Sequence, residues 1–378
     1  MTPATEAELA EAVRSATAPL WIRGGGTRPV GNTAAEGAGT VLSTAGLSGV
    51  ELYEPGALTL VVAAGTPLAE VERTLAAENQ RLPFEPMDHR ALLGTTGEPT
   101  IGGVAAANVS GPRRIQAGAC RDSMIGLRFV DGQGQVLRNG GRVMKNVTGY
   151  DLVKLLAGSR GTLGVLTQVA FKVLPATAAQ ATVMIEGLSD ASAVDAMCRA
   201  LASPFEVSGA AHMPQGPDGT PLTLLRVEGF ENSVKYRAGR LHEMLGALGP
   251  MRDEADPEAS AALWKSVRDA EAFAGTPGDV WRLSVVPTEA AAIATRLGAG
   301  RLLYDWGGGL IWAELAPGTD LRARLGPFEG HATLVRASAE TRKTLPVFQP
   351  EPAPLDRIAA GLRQRFDPRN LLNPGLMA

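Results

Sequence analysis

The 378-residue chain has only two cysteines, Cys120 and Cys198. That excludes a disulfide-stapled scaffold, and it excludes a cysteine-ligated iron–sulfur cluster within this chain, which takes four thiolates. Its four histidines, His89, His212, His242 and His331, stand far apart without HxxxH or HExxH spacing, so no metal site is expected. No excess of positive charge exists either: 36 Lys and Arg against 39 Asp and Glu give a net charge of −3, which argues against nucleic acid or an anionic membrane as partner. No apolar run approaches transmembrane length. Met1-Thr2-Pro3 followed by Glu6, Glu8 and Glu11 lacks the basic-then-apolar profile of a signal peptide, so a cytoplasmic protein is expected.

Glycine, by contrast, is plentiful at 45 residues, and it punctuates the first half of the chain. Apolar periodicity there predicts a helix over Glu6–Ser15 and strands over Pro19–Arg23 and Thr59–Ala64. Thr66 and Pro67 read as N-cap and first residue of a helix whose inner face is Leu68, Val71 and Leu75. Asp131-Gly132-Gln133-Gly134 reads as the turn of a hairpin between Ile125–Val130 and Gln135–Leu137, and Val165–Val173 as a half-buried strand. Beyond Pro175, strands (Ala181–Ile185, Leu222–Val227, Trp281–Val286, Leu302–Trp306, Leu310–Trp312) alternate with helices (Ala191–Leu201, Ser233–Leu248, Glu289–Leu297). That mixture predicts an α+β unit with helices covering a sheet. Thr344–Pro354 carries four prolines and reads as a linker, before a last helix over Leu355–Phe366.

Three stretches of small residues carry chemistry. Arg23-Gly24-Gly25-Gly26-Thr27 directly follows a strand. Consecutive glycines let several amides aim at one anion, although an ordinary tight turn uses the same residues. Three better-known loops do not fit. A dinucleotide fingerprint needs a helix to open at once, but 31–39 is broken by glycine. A phosphate loop needs Lys where Asn32 stands, and no kinase partner motifs follow. The second stretch, Thr100 to Gly111, reads as a loop that permits close approach to a flat ligand. The third runs from Lys145-Asn146-Val147-Thr148 through Gly158-Ser159-Arg160-Gly161-Thr162-Leu163-Gly164.

In order, RGGGT, TLVVAAGTPLAEV, TIGGVAAANVSGPRR, the long run from CRDSMIGLRFVDG to GTLGVLT, and FDPRNLLNPG resemble the FAD-linked oxidases of the p-cresol methylhydroxylase and vanillyl-alcohol oxidase type. Within that family, GRVMKNVTGYDL, Tyr304 to Gly308 and Gly330 to Thr333 are most similar to the E-type FAD-binding subunits of bacterial glycolate oxidase. The resemblance covers residues 20–175 and the last dozen. It implies an α+β fold: an FAD-binding domain over 1–177, made of two α+β subdomains (about 1–80 and 81–177). An α+β cap with a largely antiparallel sheet would follow over 178–343, then a linker, helix and tail over 344–378 that return to the FAD domain.

By position, the resemblance gives Arg23, Gly24, Gly25, Gly26, Thr27 and Arg28 to the pyrophosphate loop. It lays Pro86, Thr100, Gly102, Gly103, Ala107 and Asn108 along the flavin and ribityl chain, Val165 by its backbone at the adenine, and Asn373 near the isoalloxazine. Thr27 and Arg28 stand where some members carry a flavin-linking histidine, so the FAD is expected to be non-covalent. Related catalytic subunits carry an HxxGDGNxH-type segment where this chain has Tyr304-Asp305-Trp306-Gly307-Gly308-Gly309-Leu310. The implied arrangement is therefore a complex oxidising glycolate or D-lactate to the 2-oxo acid. Its partners would be a second, catalytic FAD subunit and an iron–sulfur subunit, the whole peripheral at the inner membrane. Two alternatives stand beside it: a self-sufficient FAD-dependent D-2-hydroxy-acid dehydrogenase, and an assembly subunit with a vestigial flavin site. Catalytic candidates are His331 as a base and Arg226, Arg282 or Arg336 as the carboxylate clamp, each with a structural reading as core or ion-pairing residue.

Overall fold

The computed structural model describes residues 1–32, 39–141 and 149–377. Two sheets organise the chain. In the first, five strands run in the order Val50–Glu54, Thr59–Ala63, Val165–Lys172, Met124–Val130, Val136–Gly140, all antiparallel. The expected hairpin is present, with Val130 opposite Val136. Beside this sheet, Leu20–Arg23 pairs in parallel with Thr40–Ser43 and feeds Gly24. The first helix spans Glu6–Ser15 as expected. Thr5 caps it, and Leu9, Ala10 and Val13 sink into a small cluster with Leu20, Leu42 and Val165.

The second sheet has eight strands, in the order Met251–Glu254, Ala179–Glu186, Leu222–Gly229, Gly209–Met213, Arg301–Asp305, Leu310–Leu315, Asp279–Val285, Gly330–Arg336, again antiparallel. Side-chain alternation splits it cleanly. Trp281, Leu283, Val285, Ile311, Ala313, Ala332 and Leu334 point to the face covered by the helices Asp190–Leu201, Glu231–Leu245 and Ala290–Leu297. Val280, Leu303, Leu310, Trp312 and Val335 point the other way, into a core shared with the first sheet. The second sheet thus lies over the first with one buried seam.

Three local expectations need correcting. Thr66 does not cap the helix Leu68–Ala76. Its hydroxyl donates to the Ala63 carbonyl (2.7 Å) and accepts from the Gly49 amide (2.9 Å), and Pro67 takes the cap position in an extended conformation. Thr100–Gly111 is not all loop: Thr100 Oγ1 accepts from the Gly103 amide (3.2 Å) and starts a short helix over Ile101–Ala106. The strand expected to reach Trp306 ends at Asp305, because Trp306–Gly308 form a single 3-10 turn. The glycine-broken 33–38 segment and Lys145–Thr148 lie outside the described residues.

Candidate functional site

The Arg23–Thr27 loop is held by contact with the segment before the 101–106 helix. A Cβ on Gly25 would fall 1.5 Å from the Glu98 carbonyl oxygen, and Gly26 has φ +69°, so glycine is required at both positions. Among the described residues, the amides of Gly24, Gly25, Gly26 and Thr27 have no acceptor within the protein. They border a cavity of about 540 Å³, together with Trp21, Ala64, Thr100, Gly102, Gly103, Ala107, Gly164, Leu166 and Asn373. A second cavity of about 860 Å³ adjoins it. Arg28, Val30, Ala107 and Arg160 line both, and the second lobe opens beneath the eight-stranded sheet.

Charge identifies what these lobes accept. Arg28 donates to His89 Nδ1 (3.1 Å) and to the Gly103 carbonyl (2.8 Å), and Arg160 to the Val30 carbonyl (3.1 Å). Neither has an ion pair among the described residues. Burial pushes both guanidinium groups down to about 10, and for Arg160 the charge of Arg28 adds to it. Burying cations without carboxylates is costly unless an anion completes the site. Arg282 is a third case: burial, then Arg114, brings it to about 10. Four unanswered amides and two arginines without ion pairs among the described residues, around adjoining cavities with glycine walls, fit a pyrophosphate-bearing cofactor. When bound, FAD supplies a two-electron acceptor; the chain's residues bind, orient and shield it.

Placement of the expected residues is mixed. Arg23 through Arg28, Thr100, Gly102, Gly103, Ala107 and Asn373 do line the first lobe. Asn373 accepts from the Ile22 amide (2.7 Å) and donates to the Arg160 carbonyl (2.8 Å), which ties the returning tail to the loop carrying Arg160. It does not reach the lobe beneath the eight-stranded sheet. Asn108 lines only that second lobe. Val165 turns its side chain into the N-terminal cluster while its neighbours Gly164 and Leu166 line the cavity, and Pro86 is buried and lines neither lobe.

Two of the four catalytic candidates are committed elsewhere. Arg226 makes a two-pronged pair with Glu85 (2.9 Å twice) and bonds Ser208, so its fork is fully used. Glu85 and Glu228 also pair with Arg113, and Glu228 with Arg81, so this buried cluster joins the eight-stranded sheet to the 81–113 segment of the first half of the chain. Although burial raises its carboxyl, Arg226 and Arg113 hold Glu85 down to about 2. Arg336 donates to the carbonyls of Leu92, Phe273, Thr276 and Gly278 and cannot clamp a ligand. Arg282 and His331 do meet, in the second lobe. Burial, with Arg282 and Arg114 next, lowers His331 below the ordinary histidine value and keeps it neutral. His89 is held far lower by burial and Arg28.

Two residues that the sequence did not single out belong here. Arg160 was one letter in a glycine-rich loop, and its isolation among small residues was the available signal. Asp305 was visible only as a non-histidine in its segment, yet it lines the second lobe, and burial raises its carboxyl to about 7.

Fold and site together define an FAD-dependent oxidoreductase of the p-cresol methylhydroxylase and vanillyl-alcohol oxidase type. Residues 1–140 match the FAD binding domain family. The chain is 35% identical to the glycolate oxidase subunit GlcE of Escherichia coli over 331 residues, 87% of this chain and 84% of that protein, and it belongs to that family. It is 32% identical to the glycolate oxidase subunit GlcD of Bacillus subtilis and 31% to a D-lactate dehydrogenase of Archaeoglobus fulgidus. Both matches span 42% of this chain and about a third of those proteins. Among solved structures, alkyldihydroxyacetonephosphate synthase superposes with TM-score 0.71 at 15% identity, covering 99% of this chain and 76% of that one, a likeness of fold.

Proposed function

We propose that this chain is the FAD-binding subunit of a complex that oxidises glycolate or D-lactate to the 2-oxo acid and passes the electrons to an iron–sulfur subunit, with a second flavin subunit as partner. The observation that carries it is the pair of adjoining lobes: one suited to a pyrophosphate and lined by glycine, one under the cap sheet and lined by arginine. Similarity to the glycolate oxidase subunit, over 87% of the chain, supports the same reading. With two cysteines the chain cannot hold a cysteine-ligated cluster, so electrons bound for one must leave it. Thr27 and Arg28 at the loop support non-covalent FAD.

A self-sufficient dehydrogenase is the second reading, and the meeting of Arg282 with His331 in one lobe favours it. A vestigial flavin site is disfavoured, because arginines left without an anion would destabilise the fold to no purpose. Purification with a tag on this chain, followed by anaerobic addition of glycolate and then D-lactate, tests the proposal. Co-purifying flavin and iron–sulfur subunits, with bleaching in the complex, are expected. A chain that purifies alone from its native cells, with no flavin partner, contradicts it.

A further inference from the structure

Where the two lobes meet, a buried cation is aimed by an acceptor that carries no charge. Arg28 lines both lobes; its Nε donates to His89 Nδ1 (3.1 Å) and its Nη1 to the Gly103 carbonyl (2.8 Å). Its Nη2 meets no acceptor among the described residues. An arginine N–H can only donate, so His89 Nδ1 presents a bare lone pair and the ring proton sits on Nε2. The Met87 carbonyl lies 3.3 Å from the same nitrogen and would favour a proton there, which Arg28 excludes. His89 is 9% exposed, and a second proton would place a further cation among Arg28, Arg160 and Arg282. Burial, and then those charges, hold it neutral.

A buried arginine is ordinarily paired with a carboxylate, and one stands close by. Asp88 precedes His89 in the chain, yet both of its oxygens are taken by Arg90 (2.8 to 3.1 Å). Asp269 is likewise taken by Arg268 (2.8 and 2.9 Å). Burial pushes the Cys120 thiol up, so it brings no charge to Arg28 either. Arg28 is thus fixed in direction with its charge left whole. A carboxylate in place of His89 would hold it as firmly but cancel that charge, so orientation alone does not explain a histidine here.

We propose that His89 is a positioning residue: it holds Arg28 towards bound FAD without neutralising it, so that the site favours reduced flavin over oxidised. The proposal rests on the reading that FAD occupies these lobes. Reduction brings two electrons and one proton from the reductant to an uncharged isoalloxazine and leaves one negative charge on it. An uncancelled cation in a cavity of low dielectric stabilises that charged form selectively, which raises the reduction potential. Arg160, which also lines both lobes without an ion pair among the described residues, adds to the same field.

The test is the midpoint potential of the bound flavin, read by anaerobic dithionite titration of the flavin-loaded chain against a reference dye. His89→Asn and His89→Asp have the same shape and both can accept from Arg28; only the second adds a charge. His89→Asp is expected to cut the preference for reduced flavin at least about tenfold, which lowers the midpoint by about 30 mV or more. His89→Asn should stay within about threefold of wild type, or about 15 mV. If either variant loses its flavin, Arg90→Gln decides. It frees the Asp88 carboxylate beside Arg28 and should lower the midpoint at least about threefold, or about 15 mV. An unmoved midpoint in His89→Asp, an equal fall in His89→Asn, or an unmoved midpoint in Arg90→Gln where that arm decides overturns the proposal and leaves the flavin reading intact. A wild-type chain that is colourless and takes up no added FAD refutes the flavin reading, and the proposal with it.

Discussion

Replacing Arg226 by Met tests how the eight-stranded sheet is held to the 81–113 segment. Arg226 is 2% exposed, and its fork contacts both oxygens of Glu85, while Ser208 accepts from its Nε. Breaking a buried pair by removing one partner costs about 3–5 kcal/mol, because a desolvated charge is left behind. Here Glu85 keeps Arg113, and Glu228 keeps Arg113 and Arg81, so the lower end, about 3 kcal/mol, is expected in equilibrium urea unfolding. In a cycle with Glu85→Gln the two changes should be non-additive by more than about 1 kcal/mol. The sign with pH follows from the depressed carboxyls of Glu85, held at about 2, and Glu228. Their stabilisation is complete above the ordinary glutamate value near 4.5 and is lost as pH falls towards about 2. The variant's deficit should therefore be equal at pH 7 and pH 5 and shrink below pH 4. Flavin content should not change, since Arg226 lines neither lobe. A loss below about 1 kcal/mol, or strict additivity with Glu85→Gln, would refute the clasp.

Gly25→Ala forces the Glu98 carbonyl away from a 1.5 Å overlap, so flavin retained on purification should fall at least about tenfold while circular dichroism stays near wild type; full flavin occupancy would contradict this. Arg160→Met should weaken FAD binding by about 10- to 100-fold in a fluorescence titration of the deflavinated chain, and an unchanged Kd would show that its charge serves only the fold. Asp305, raised to about 7, costs folding stability progressively as pH rises from about 4 to 7. The Tm advantage of Asp305→Asn should grow across that window and level off above it, whereas a constant offset would mean the carboxyl is already ionised at low pH.

Much of the fold was legible wherever one apolar face met one polar face. The 6–15 helix, the 124–140 hairpin and the 165–172 strand follow directly from periodicity and turn residues. Strand Gly209–Met213 was missed because both of its faces are buried and it shows no alternation. The 101–106 helix was hidden by Gly102 and Gly103, poor helix formers that are kept where the chain lines the cavity. At the site, the glycine loop announced itself, but the roles of the arginines did not. Arg226, Arg282 and Arg336 all sit on strands, and only tertiary structure shows that two of them are saturated by Glu85 and by carbonyls while Arg282 stacks on Trp306 and, among the described residues, has no ion pair. Asp305 was overlooked because burial, not its neighbours in sequence, gives it unusual character.

The central claim is that this chain by itself holds FAD without a covalent bond, and an absorbance spectrum of the purified chain before and after acid precipitation tests it most directly. A flavin spectrum near one FAD per chain, moving wholly into the acid supernatant, is the predicted result. A colourless chain that takes up no added FAD, or flavin that stays with the precipitate, would contradict the account.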